Sequence, residues 1–162
     1  MNDVLKPVSP FELNRYLGKW FEIARLPTWF EKDLSNVTAN YSIANDGKVR
    51  VENCGVKRGK LKTAIGKAKL AKDPTVAHLK VSFFGPFYAD YKIIVLDTVG
   101  YQYAMVASSY KYLWVLNREP TMDKAILDRL LVEAQKPGFD TNQLIYASTE
   151  VATLAHSTEP KI

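Results

Sequence analysis

The chain has 162 residues, enough for one domain that buries a core or wraps a cavity. Its aromatic content of 12% is rich and its formal charge is +5, but the cations are scattered along the chain, which argues against a nucleic-acid surface. A single cysteine, Cys54, excludes an internal disulfide and a cysteine-based zinc cluster, and no apolar run reaches the ~18 residues a membrane-spanning helix needs.

Residues 1–17 read as an extended, proline-punctuated arm followed by a short helical turn, with Phe11, Leu13 and Leu17 spaced to plug one end of a larger structure. The segment 1–7 has neither an apolar signal region nor a lipid-acceptor cysteine, so the sequence as given reads as neither exported nor anchored by itself. Gly18 to Arg25 is the first strand. Because side chains alternate along a strand, Gly18 and Trp20 share a face. Pro27-Thr28-Trp29-Phe30 ends that strand in a loop that carries two aromatics.

Asn36 to Ile43 alternates Val37, Ala39 and Tyr41 against Thr38, Asn40 and Ser42. Asn45-Asp46-Gly47 then predicts a hairpin, with Val49, Val51 and Asn53 returning on the inner face and Arg50 and Glu52 on the outer one. After a turn region over Gly55 to Gly59, the strand Leu61 to Leu70 carries lysines on its outer side and Ala64, Gly66 and Ala68 on the other. Small inward residues leave room. Ala77 to Phe83 alternates Leu79, Val81 and Phe83 against His78, Lys80 and Ser82, and Phe84-Gly85-Pro86-Phe87-Tyr88 is an aromatic turn. Tyr91 to Asp97 follows with Tyr91, Ile93 and Val95 expected inside, then Gln102 to Ala107 and Tyr112 to Leu116, the last with Tyr112, Trp114 and Leu116 in phase.

Asp123 to Gln135 places Ile126, Leu127, Leu130 and Leu131 at helical spacing, and Lys136-Pro137-Gly138 stops it. The helix is taken to span about 121–135 outside the sheet, Leu144 to Ala147 is a short last strand, and 149–162 is a polar tail expected to be disordered. The fold class is therefore all-β: an eight-stranded antiparallel up-and-down barrel over 18–148, with a C-terminal helix and a short ninth strand. If Arg118, at the end of the eighth strand, stacks on Trp20, the first and last strands meet and the sheet closes.

Gly18-Lys19-Trp20-Phe21-Glu22-Ile23-Ala24-Arg25, Val81 to Tyr88 with its Gly85-Pro86 turn, Tyr91 to Asp97, and Arg118 together resemble the lipocalins. Within them, the resemblance is to the bacterial lipocalins and to the apolipoprotein D and plant temperature-induced types. It implies a calyx closed where Gly18, Trp20 and Arg118 sit and open at the other end. It also implies a small lipid ligand such as a fatty acid or lysophospholipid, peripheral contact with a membrane, and a place at the outer membrane or in the periplasm.

The inward set expected to touch ligand is Val37, Ala39, Tyr41, Val51, Asn53, Leu79, Val81, Phe83, Tyr91, Ile93, Tyr112 and Trp114. Tyrosine hydroxyls and Asn53 supply neutral hydrogen-bonding groups there. Trp29, Phe30, Phe84 and Phe87 are expected at the rim or in turn packing. The competing readings are a lipid- or prenoid-converting enzyme on the same fold and a nucleic-acid-binding barrel. Against the first, parity puts Cys54 and His78 outside, His156 lies in the tail, and no carboxylate pair is expected in the cavity. Against the second, lysines and aromatics take opposite faces. No catalytic residue, metal ligand or cofactor motif is read.

Overall fold

The computed structural model describes residues 5–146, apart from the side chain of Phe84. The first four residues, Ala147 and the expected tail with His156 lie outside the described residues. After a single helical turn, α1 (Leu13–Tyr16), come eight strands: β1 (Gly18–Arg25), β2 (Ser35–Ile43), β3 (Val49–Lys57), β4 (Lys60–Leu70), β5 (His78–Phe84), β6 (Phe87–Leu96), β7 (Tyr103–Ser108) and β8 (Tyr112–Asn117). Each pairs antiparallel with the next, and β1 pairs with both β2 and β8, so the sheet closes on itself. Closure removes the free edges that would otherwise template aggregation. A helix, α2 (Lys124–Gln135), is capped by Asp123, which accepts from the Ala125 amide; β9 (Ile145–Tyr146) then adds to β1 outside the ring.

Two apolar cores result. The inner one gathers Trp20, Tyr41, Val49, Val51, Ala68, Leu79, Ile93, Val106 and Leu116, with Phe11 and Tyr16 of the arm and α1 set into its closed end. The arm is held there by backbone bonds, Val8 N–H to Ile93 carbonyl and Ala77 N–H to Val8 carbonyl, both 2.9 Å. The outer core lies under α2, where Leu130 and Ala134 meet Ile23, Ala24, Met105, Leu113 and Val115.

Strict alternation fails at two bulges. In β1 the register against β8 shifts between Glu22 and Ala24, so Ile23 and Ala24 both face the helix and Glu22 and Arg25 both face the calyx. In β6 the shift falls between Ile93 and Val95. Val95, expected inside, therefore packs with Ile94 in the outer core, and Leu96 takes the inner place. The β3–β4 turn is also tighter than the expected Gly55 to Gly59 region: only Arg58 (φ 54°) and Gly59 (φ 79°) are unpaired, the two left-handed positions of a type I′ hairpin. This register puts Lys62, expected outside with Lys67 and Lys69, opposite Gly55 on the phase of Ala64 and Gly66, where it leaves the barrel at the rim.

Candidate functional site

The closed end of the calyx is a clasp. The Arg118 guanidinium lies 3.8 Å from the centroid of the Trp20 ring and donates to the carbonyls of Arg15 (2.8 Å), Tyr101 (3.0 Å), Leu17 (3.1 Å) and Lys19 (3.1 Å). Trp20 Nε1 donates to the Tyr16 carbonyl at 2.8 Å. Gly18 is needed for its backbone: its φ is +103°, a conformation L side chains rarely adopt, and the position lies against Arg118, where a Cβ would sit 3.4 Å from Nη1.

Above the clasp lies a floor of three hydroxyls. Tyr91 Oη is 2.6 Å from Tyr16 Oη and 2.8 Å from Tyr41 Oη. Burial pushes all three phenols up, Tyr41 to about 12 and Tyr16 and Tyr91 well above their ordinary value, so they are neutral at physiological pH. Three protons serve two bonds, so one O–H remains uncommitted within the triad whichever way the hydroxyls turn.

Higher on the β1 side stands a buried charged cluster. Arg25 donates from Nη1 to Glu22 Oε1 at 3.0 Å and from Nη2 to the Glu31 carbonyl at 3.0 Å, and its Nε is 3.6 Å from Glu31 Oε1. Glu31 comes from the β1–β2 loop and folds back into the wall, where its Oε1 also accepts from Trp114 Nε1 (3.0 Å) and Thr28 Oγ1 (3.3 Å). Burial, together with the neighbouring Glu31 carboxylate, raises Glu22 well above the usual carboxylate range, against the pull of Arg25.

The expectation that no carboxylate pair reaches the cavity is thus corrected. Alternation puts Glu22 and Arg25 on opposite faces, and only the bulge at Ile23 unites them. The Glu31 loop gave no periodic signal at all.

Of the expected inner residues, Tyr41, Val51, Leu79 and Ile93 are buried in the inner core, and Ala39, Val81, Phe83, Tyr91 and Trp114 pack against it while remaining partly accessible. Asn53 lies between Ala39 and Ala64 in register and is also partly accessible. Val37 is buried near the mouth, where a Cβ on Gly55 would touch it and Leu34. Tyr112 sits at the mouth, stacked on Trp114 with centroids 6.0 Å apart and 5.7 Å from Phe30. Ala64, on the inner phase of β4, is exposed. These side chains therefore line the inside of the barrel, with the tyrosine hydroxyls toward the closed end, the Glu22–Arg25–Glu31 cluster in the β1 wall, and the partly accessible residues between apolar neighbours.

A Lipocalin-like domain model matches residues 11–149, which take in the whole barrel and the helix. The chain belongs to this lipocalin family. It is 48% identical over 153 residues to an outer membrane lipoprotein Blc of Vibrio cholerae, covering 93% of this chain and 90% of that one. It is 44% identical to outer membrane lipoprotein Blc of Escherichia coli K12 (86% and 80% covered) and 31% identical to temperature-induced lipocalin-1 of Arabidopsis thaliana (86% and 80%). Among solved structures, insecticyanin from the tobacco hornworm superposes with a TM-score of 0.72 at 22% identity, covering 87% of this chain and 82% of that one, a likeness of fold. Among the described residues no helix is long and apolar enough to cross a membrane.

Proposed function

We propose that this lipocalin binds one acyl-chain lipid, a fatty acid or lysophospholipid, in the calyx, and stores it or carries it to and from a membrane by peripheral contact, in the service of membrane maintenance. The observation that carries this reading is the set of inward yet accessible small and aromatic residues, Ala39, Ala64, Val81, Phe83 and Trp114, on walls that are apolar apart from Asn53 and the Glu22–Arg25–Glu31 cluster. Burial of about ten methylenes contributes on the order of 8 kcal/mol before ordering costs, enough for micromolar binding. The names of the Blc relatives support an outer-membrane or periplasmic setting.

The reading is of a carrier and not of a catalyst. The buried carboxyl pair is occupied by Arg25, Thr28 and Trp114, and the Cys54 thiol lies beside Thr63 Oγ1 at 3.6 Å on the outer face.

Native mass spectrometry of delipidated protein with equal amounts of fatty acid, lysophospholipid and retinol tests it, alongside Ala64→Trp, which adds an indole on the inner phase of β4, opposite Asn53. One-to-one adducts with the acyl lipids, lost in the variant, are expected. Absence of any adduct, or adducts that persist in Ala64→Trp, overturns the proposal.

A further inference from the structure

β1 runs from the clasp to the mouth, so the turns that follow odd-numbered strands all lie at the mouth. Each of them ends in a large apolar side chain held out to solvent: Trp29 (76% exposed) and Phe30 after β1, Leu61 (70%) beside the β3–β4 turn, Phe87 (76%) after β5 and Tyr110 after β7. Exposed groups of this size at every tip of one end are not the scattered apolar surface of an ordinary soluble domain. The same turns carry Lys32, Lys57, Arg58, Lys60, Lys62 and Lys111, none of them in an ion pair among the described residues. Against these six the same turns hold one exposed acid, Asp33, because Glu31 is buried on Arg25, and one more, Asp140, follows Phe139 where that ring packs on Tyr110. The opposite end also exposes Val99 (86%) and Ile43, but no aromatic ring of that exposure, and its charge differs: its turns mix Lys48 and Lys72 with Asp46, Asp73, Asp97 and Glu119.

We propose that the mouth of the calyx is a docking surface for an anionic lipid bilayer, with the aromatic and leucine tips entering the headgroup region and the β3–β4 turn supplying most of the charge. A second copy of the chain is the poorer occupant, since six cations would face six cations across a symmetric contact. A bilayer of anionic lipid answers both features at once: it neutralises the cations, and it accepts aromatic side chains at the interface. The tips are held by one another and by the loop behind them. Trp29 packs edge-on against Phe30 at 5.5 Å, Phe30 against Tyr112, and the loop behind them is pinned through Glu31 and Thr28. This deepens the carrier reading, on which it rests, by naming the face through which a membrane-borne ligand reaches the cavity.

The test is co-sedimentation of the full chain with phosphatidylcholine vesicles, with and without phosphatidylglycerol, at low salt. Binding is expected to the anionic vesicles and to weaken steeply as salt is added. Each cation near such a surface is worth about fivefold in partitioning, so Arg58→Gln with Lys60→Gln is expected to weaken binding about 25-fold. Trp29→Ser with Phe87→Ser is expected to weaken it on both vesicle types, and Lys48→Gln with Lys72→Gln, at the far end, to leave it unchanged. Ala64→Trp separates this from the carrier reading, because it is expected to lose the ligand adduct and keep the vesicles. Equal binding by the rim and far-end variants overturns the proposal. So does a dimer, seen by sedimentation velocity, that dissolves in Trp29→Ser with Phe87→Ser while no vesicle binding occurs.

Discussion

Glu22 is the residue whose chemistry departs most from its sequence context. In the unfolded chain it titrates near the ordinary value of 4.5, and in the barrel it holds its proton to higher pH because burial and the Glu31 carboxylate disfavour its charge. A group whose folded pKa is raised contributes stability that is fully present below the unfolded pKa and is lost as pH rises toward the folded one. The unfolding free energy is therefore expected to fall above about pH 4.5, by about 1.4 kcal/mol for each pH step over which only the folded state keeps the proton. In Glu22→Gln that slope is expected to vanish. Urea titrations of both proteins across the acid-to-neutral range give the comparison, and parallel curves would mean that Glu22 is charged in its pocket after all. The sequence displayed Glu22 and Arg25 in plain view inside the first-strand motif. Their partnership was hidden because a three-residue spacing in a strand normally separates two side chains across the sheet.

At the level of elements, what could be read was whatever followed period two or period 3.6. The hairpin at Asn45-Asp46-Gly47 is held by Ala44 and Lys48 as its sequence predicts, and α2 presents Ile126, Leu127, Leu130 and Leu131 to the outer core. The bulges in β1 and β6 were not legible, because each adds one residue to an apolar run in which either phase looks equally good, Ile23-Ala24 in one and Ile94-Val95 in the other. Nor does a small-residue face say how tightly it is used.

Gly66 supplies the example. An added Cβ would stand 2.6 Å from the Ser82 carbonyl oxygen and 2.7 Å from two carbons of the Phe83 ring. Gly66→Ala is therefore expected to cost about 1–3 kcal/mol in urea unfolding, the usual range for overpacking. In a Phe83→Leu background the penalty is expected to shrink, because the ring contact is relieved, but to persist in part, because the Ser82 carbonyl belongs to the backbone. An unchanged penalty in that background would mean that the clash is entirely with the Ser82 carbonyl.

For the whole molecule, the division of labour between the two ends is the consequence that matters most. The closed end joins residues 99 to 103 positions apart through one guanidinium, Arg118 to Lys19, Leu17 and Arg15. The proposed ligand space begins beyond the tyrosine floor. Tyr16 joins the two, through Trp20 on one side and Tyr91 on the other, and sites linked only through such an intermediate are expected to contribute nearly additively to stability. Arg118→Lys keeps the charge over Trp20 but loses the rigid fork that reaches four carbonyls, so it is expected to lower the unfolding free energy of delipidated protein by about 2–3 kcal/mol. Saturation with lysophospholipid at a hundredfold excess over Kd is expected to raise stability by about 2.7 kcal/mol in wild type and by the same amount in the variant. Chemical denaturation of all four states measures both numbers. Equal ligand increments would place the clasp outside the binding event. A smaller increment in Arg118→Lys would mean that the floor transmits strain from the clasp, and that the acyl chain is held by the closed end as well as by the walls.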